Sequence, residues 1–136
     1  MPVDSATEIR DILEYETIAV VGCSSSPGKA AHDVPAYLQK QGYDIHPVNP
    51  FADEILGRVA ADSLSAVDAA IDIVCIFRPS EEVATIVDEV LERDDVDVVW
   101  MQLGIRDDDA AARAEREGRQ VVQDRCMKVA HREFGG

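Results

Sequence analysis

Short apolar runs punctuate this chain. Ile18-Ala19-Val20-Val21, Ala70 to Phe77 and Val96 to Leu103 are rich in branched residues, interrupted only by Asp72, Asp97 and Gln102, and Gly22, Pro79 and Gly104 close them. A strand with one face in water alternates apolar and polar residues. Runs without alternation belong to strands covered on both faces, the condition of a parallel sheet. Helical patterns stand between them. Ser5-Ala6-Thr7-Glu8 has capping-box spacing and predicts a helix over Thr7 to Tyr15. A second helix is expected from Ala31 to Gln41, ending at Gly42. Asp44 to Val48 reads as strand, stopped by Asn49-Pro50, and Phe51 to Leu64 as irregular chain or one helical turn. Ser80 is placed to cap a helix through Arg93, with Val83, Ile86, Val87 and Val90 on one face. Asp107 to Glu117 predicts a helix with acids at its start and arginines near its end, which suits the macrodipole. Arg119 to Gln123 makes a fifth strand and Cys126 to Phe134 a closing helix.

Alternation of this kind predicts an α/β fold: Rossmann-like, doubly wound, with a five-stranded, mainly parallel sheet and helices on both faces. A chain of 136 residues suits one domain over residues 1–136, with residues 1–16 as an N-terminal helical extension. Such sheets bind ligands beyond the carboxyl ends of their strands. The segments expected there are Gly22–Lys29, Val48–Phe51, Phe77–Ser80, Met101–Gly104 and Asp124–Lys128.

The net charge of −14 argues against nucleic acid and anionic membranes as partners, since both need a basic footprint. Three lysines stand against ten arginines, and an acid-rich, lysine-poor surface resembles that of salt-adapted proteins. No apolar run approaches the ~18 residues of a membrane span. Residues 1–14 lack a signal-peptide pattern, so a cytoplasmic address is expected. Cys23, Cys75 and Cys126 are too few and scattered for a disulfide framework, and Cys75 lies in an apolar run as expected of inert core. His32, His46 and His131 show no metal-ligand spacing, and Asp107-Asp108-Asp109 reads as helix-start acids, so no metal is expected.

The segment Val20-Val21-Gly22-Cys23-Ser24-Ser25-Ser26-Pro27-Gly28-Lys29 joins a strand to a helix through small residues, the make-up of a phosphate cradle. Nucleotide-hydrolysing loops place four residues before Gly-Lys and a hydroxyl after it. Here five separate Gly22 from Gly28, and Ala30 follows Lys29. The dinucleotide fingerprint wants Gly-x-Gly-x-x-Gly and a later acid for the ribose. Here Ser24 replaces the second glycine, and the second strand ends in Val48-Asn49-Pro50. A ribose that carries a phosphate is better met by such neutral groups, which admits coenzyme A as a third candidate.

Further words carry a resemblance. They are Gly42-Tyr43-Asp44-Ile45-His46-Pro47-Val48-Asn49-Pro50, Ile55-Leu56-Gly57-Arg58, Asp72-Ile73-Val74 with Phe77-Arg78, Val98-Val99-Trp100-Met101-Gln102-Leu103-Gly104, and Asp124-Arg125-Cys126. In these the chain resembles the small stand-alone CoA-binding proteins, which are similar to the N-terminal domain of the succinyl-CoA synthetase α subunit. The resemblance implies that Gly22, Cys23, Ser24 and Lys29, with Ser25 beside them, hold the diphosphate or ribose phosphate. It implies that Val48, Asn49 and Pro50 border the adenosine end and that Phe77, Arg78 and Pro79 line the middle. Met101, Gln102 and Gly104 would flank the pantetheine arm, with Cys126 and Lys128 on the last segment. Two positions depart from the family pattern: Cys23 stands where a small residue is usual, and Lys29 where arginine is common.

Lys29 opposes the macrodipole at a helix start, which an anion partner would explain. Arg78 suits a ligand contact or a structural ion pair equally. Trp100 reads as core, and Met101 as core or ligand contact. The expected function is binding of coenzyme A or an acyl-CoA by a non-catalytic carrier, sensor or redox protein. The synthetase works through a phosphorylated histidine on a further domain, for which 136 residues leave no room, and no nucleophile–base pair is recognisable. The alternatives are an NAD(P)-binding oxidoreductase, an acyl-CoA-using enzyme with an unrecognised site, or an interaction module. Cys23, near a helix N-terminus, is expected to have a lowered thiol pKa. It or Cys126 would then form a mixed disulfide with CoA. Tyr37 and Phe134, read as exposed, could mark a homodimer or protein-partner face.

Overall fold

The computed structural model describes residues 5–135. The chain begins with α1 (Ala6–Ile12), and Ser5 caps it: its hydroxyl accepts from the Glu8 N–H at 3.2 Å. There follow β1 (Thr17–Val21), α2 (Ala30–Lys40), β2 (Asp44–Val48), and two short strands, β3 (Glu54–Ile55) and β4 (Arg58–Val59). Next come β5 (Ile73–Ile76), α3 (Val83–Leu91), β6 (Val98–Met101), α4 (Asp108–Arg116), β7 (Gln120–Val122) and α5 (Met127–Phe134). Short 3₁₀ turns at Leu64–Ala66 and Ser80–Glu82 precede β5 and α3. No described helix is long and apolar enough to cross a membrane.

Five strands form one sheet in the order β2-β1-β5-β6-β7, and every pairing is parallel. All four residues of β5 and of β6 are buried, as the unbroken apolar runs predict. Alternate residues divide between two cores. Ile18, Val20, Ile73, Cys75, Val98 and Trp100 meet α1, α2 and α5 through Ile9, Ile12, Leu38, Met127 and Ala130. Ala19, Val21, Val74, Ile76, Val99 and Met101 meet α3 and α4 through Val83, Val87, Val90, Ala111 and Ala114. The sheet is therefore doubly wound, and β1 and β5 flank its topological switch point, where successive crossovers leave in opposite directions.

Three local expectations are corrected. The 51–64 segment holds an antiparallel hairpin, β3–β4, turned by Leu56 and Gly57 with φ of 55° and 80°. Both positive angles make this the primed turn that matches strand twist. Gln39 Nε2 donates to the Leu56 carbonyl at 3.1 Å and so fastens the hairpin to α2. Ser80 caps no helix: its hydroxyl accepts from the Arg106 N–H at 2.9 Å, and α3 begins three residues later. Tyr37 and Phe134 are half-buried against the core, Tyr37 bonded to His131 Nδ1 at 2.8 Å and Phe134 beneath Arg10. Among the described residues the large apolar side chains that do face solvent are Phe51, Val59, Leu103 and Val129.

Candidate ligand-binding site

A cleft of about 420 Å³ opens at the switch point. Val21 and Gly22 form its floor at the end of β1, and Val48, Asn49, Pro50 and Phe51 one wall beyond β2. Asp62, Ser63 and Leu64 continue that wall. Arg78, beyond β5, and Glu82, Thr85, Ile86 and Glu89, on the turn into α3 and on α3 itself, form the other. Ligands of doubly wound sheets enter at this place.

Gly22 has a φ of 87°, which L residues rarely adopt, and its N–H donates to the Val48 carbonyl at 3.0 Å. A Cβ there would lie 2.8 Å from Arg78 Cδ and 3.3 Å from the Phe77 carbonyl carbon. The missing side chain lets the Arg78 stem cross the start of the loop. Its guanidinium then forks onto Glu82, Nε to Oε1 at 3.1 Å and Nη2 to Oε2 at 2.7 Å. Asn49 ties the two neighbouring loops. Its Nδ2 donates to the Cys23 carbonyl at 2.9 Å, and its Oδ1 accepts from the Phe51 N–H at 2.8 Å.

The Ser24–Lys29 loop is held by bonds to its backbone N–H groups. The Ser24 N–H donates to the Ala31 carbonyl at 2.9 Å, and the Ser24 hydroxyl accepts from the Ser26 N–H at 3.0 Å. Asp33 accepts from the Gly28 N–H at 3.1 Å. That bond, with His32 beside it, holds its carboxyl below the ordinary value. Ser25 and Lys29 are exposed. Lys29 occupies the N-cap of α2 with no side-chain cap bond, and its carbonyl accepts from the His32 and Asp33 N–H groups at 2.9 and 2.8 Å.

Of the residues expected at the site, the structure gathers Gly22, Val48, Asn49, Pro50 and Arg78 around the cleft. Phe77 is half-buried against the α1–α2–α5 core, and Pro79 is exposed at the turn into α3. The last two segments meet each other instead. The Gly104 N–H donates to Asp124 Oδ1 at 2.6 Å. Buried Gln102 accepts from the Met127 N–H at 2.9 Å and from Cys75 Sγ at 3.6 Å. Met101 is wholly buried beside α3 and α4. Trp100 is also wholly buried, its Nε1 donating to the Arg125 carbonyl at 2.8 Å. Lys128 Nζ lies 5.4 Å over the Tyr37 ring.

A model of the CoA binding domain matches residues 16–132. The chain belongs to this family. It is 44% identical over 128 residues to the protein YneT of Bacillus subtilis (strain 168), covering 93% of this chain and 94% of that one. An ADP-forming acetate–CoA ligase of Archaeoglobus fulgidus is 24% identical over 125 residues, and there the match spans 90% of this chain but only 19% of the ligase. A Pyrococcus horikoshii OT3 protein of solved structure superposes with a TM-score of 0.93 at 32% identity, covering 100% of this chain and 97% of that one. A Thermus thermophilus protein superposes with a TM-score of 0.88 at 38% identity, covering 96% and 99%.

In this CoA-binding domain the thiols differ from expectation. Cys23 has no exposed surface, and burial pushes its pKa up to about 12. Its side chain points from the loop into the α1–α2–α5 core, and desolvation outweighs any help from α2, which starts only at Ala30. Burial raises the Cys75 pKa as well. Cys126 is the partly accessible thiol. Iodoacetamide is therefore expected to alkylate Cys126 in the native protein, and Cys23 and Cys75 only after denaturation. Peptide mass spectrometry reads the order, and native alkylation of Cys23 would contradict it. Sequence reasoning placed the Val48–Phe51 segment at the ligand end but missed the Asp62–Leu64 and α3 walls. The signal for the last was the position of α3 directly after a switch-point strand.

Proposed function

We propose that this domain binds coenzyme A or an acyl-CoA in the switch-point cleft, as a carrier, sensor or redox partner without catalysis of its own. The observation that carries the reading is the cleft itself. It opens beside Gly22 at the end of β1, at the topological switch point, in a chain whose family is the CoA binding domain. Ser24, Ser25 and Lys29 would meet the phosphates, with the exposed Phe51 and Pro50 beside the adenosine. The pantetheine arm would run toward Gln102, Gly104 and Cys126. The ligase relative supports the division of roles, because this chain corresponds to only 19% of that protein. A redox role would fall to Cys126, whose thiolate could exchange with CoA disulfide, forming the mixed disulfide and releasing one CoA thiol.

Isothermal titration with CoA, acetyl-CoA, NADH, NADPH and ATP tests the reading. CoA and acetyl-CoA are expected to saturate one site per chain, with the other nucleotides far weaker. Tight NADPH binding with no response to CoA would overturn it in favour of an oxidoreductase.

A further inference from the structure

The cleft is charged the wrong way for an anionic ligand. Among its described lining residues Arg78 is the one cation, against Asp62, Glu82 and Glu89. That cation is already engaged, because both arms of its fork used in the cleft bond the two oxygens of Glu82. Gly22 has no side chain to obstruct the Arg78 stem. Glu82, the last residue of the 3₁₀ turn after Pro79, stands four residues beyond Arg78. A carboxylate pair of oxygens and a phosphate pair of oxygens present the same face to a guanidinium. Glu89 differs, since its carboxylate accepts from the Ser65 hydroxyl at 3.4 Å rather than from the fork.

We propose that Glu82 is a built-in competitor: it occupies the Arg78 fork in the unliganded chain and is exchanged for a phosphate group of the ligand. This rests on the proposed CoA reading and assigns a specificity residue within it. Only a ligand whose phosphate bonds Arg78 better than Glu82 does gains from the exchange. Neutral fragments of such a ligand gain nothing from it, and monoanions little. The pair is half exposed on both sides, so the exchange is shallow and reversible.

The test is a double-mutant cycle read by isothermal titration with CoA, on wild type, Glu82→Gln, Arg78→Ala and the double variant, with Glu89→Gln alongside. Glu82→Gln is expected to tighten CoA binding about threefold to fivefold, the size of a half-exposed ion pair. Arg78→Ala is expected to weaken it, and in that background Glu82→Gln should gain much less. Glu89→Gln relieves repulsion without freeing a fork and should gain less than Glu82→Gln. An unchanged or weaker affinity in Glu82→Gln overturns the exchange. So does an equal gain with and without Arg78, because general repulsion would then suffice. CoA failing to bind wild type would overturn the proposed function and this inference together.

Discussion

Gly22→Val is expected to cost about a hundredfold in affinity for CoA, while the chain stays folded. Two effects add. Gly22 holds a φ of 87°, and a branched side chain there stores about 1–3 kcal/mol of strain. Its Cβ would also lie 2.8 Å from Arg78 Cδ, so the arginine stem must shift. A charge-assisted bond of the fork to a ligand phosphate contributes about 1.5–3 kcal/mol, and displacing the stem forfeits it. Strain of this size lowers, without exhausting, the ~5–15 kcal/mol of an ordinary domain. Gly28→Ala separates the two effects. Gly28 has a φ of 98° but nothing within 4 Å of its would-be Cβ, so that variant carries strain without obstruction and should bind within a few-fold of wild type. Titration calorimetry with circular dichroism reads both. Wild-type affinity in Gly22→Val would show that the Arg78 crossing is irrelevant to the ligand.

Arg93→Ala is expected to lower the unfolding free energy by about 3 kcal/mol, a drop in Tm of about 10 °C. Arg93 gathers the connection that leads into β5. Its Nη1 donates to the Leu64 and Val67 carbonyls at 3.0 and 2.9 Å, and its Nη2 to the Ala69 carbonyl at 2.9 Å. Its Nε and Nη2 also meet both oxygens of Asp95 at 3.0 and 2.8 Å. The variant orphans those carbonyls and loosens Ser63 and Leu64 in the cleft wall. It has a pH signature too. The Arg93 fork and the Ile71 N–H lower the Asp95 pKa from 3.8 to about 2. A folded-state pKa below the unfolded one stabilises above the unfolded value, and that contribution is lost as pH falls through the folded value. Asp95 therefore contributes about 2 kcal/mol near neutrality, lost between about pH 4 and pH 2. The Asp95 share of the difference between wild type and Arg93→Ala should close over that window, while the share from the three carbonyls persists. Denaturant unfolding at several pH values checks it, and a gap that stays constant with pH would refute the Asp95 link.

The parallel, doubly wound sheet was legible in the sequence because burial on both faces leaves a local mark, the unbroken runs of Ile73–Ile76 and Val98–Met101. The ends were less legible. Leu103 continues the apolar run, yet it lies beyond β6 with 71% of its surface exposed. The β3–β4 hairpin escaped because its strands are two residues long and its turn places leucine, not asparagine, at a positive φ. Ser80 looked like a cap because a hydroxyl before a helix usually is one. The competing donor, the Arg106 N–H, lies 26 residues away, beyond any local pattern. Cys23 misled for a similar reason: proximity to a helix start is visible in sequence, whereas the direction of a side chain into a core is not. At the site, Gly22, Asn49 and Arg78 could be named from their motifs. The acidic wall of Glu82 and Glu89 could not, because it comes from the polar flank of a helix whose apolar stripe dominates its pattern.

Asn49 sets how much order a ligand must supply. Its amide gives one group to the loop after β1, at the Cys23 carbonyl, and the other to the loop after β2, at the Phe51 N–H. Two segments that would otherwise fluctuate separately thus form a single lip before any ligand arrives. The conformational entropy of ordering them is lost once, during folding, and is not charged again to association. Binding energy gathered along that lip can then appear as affinity instead of being spent on arranging the site.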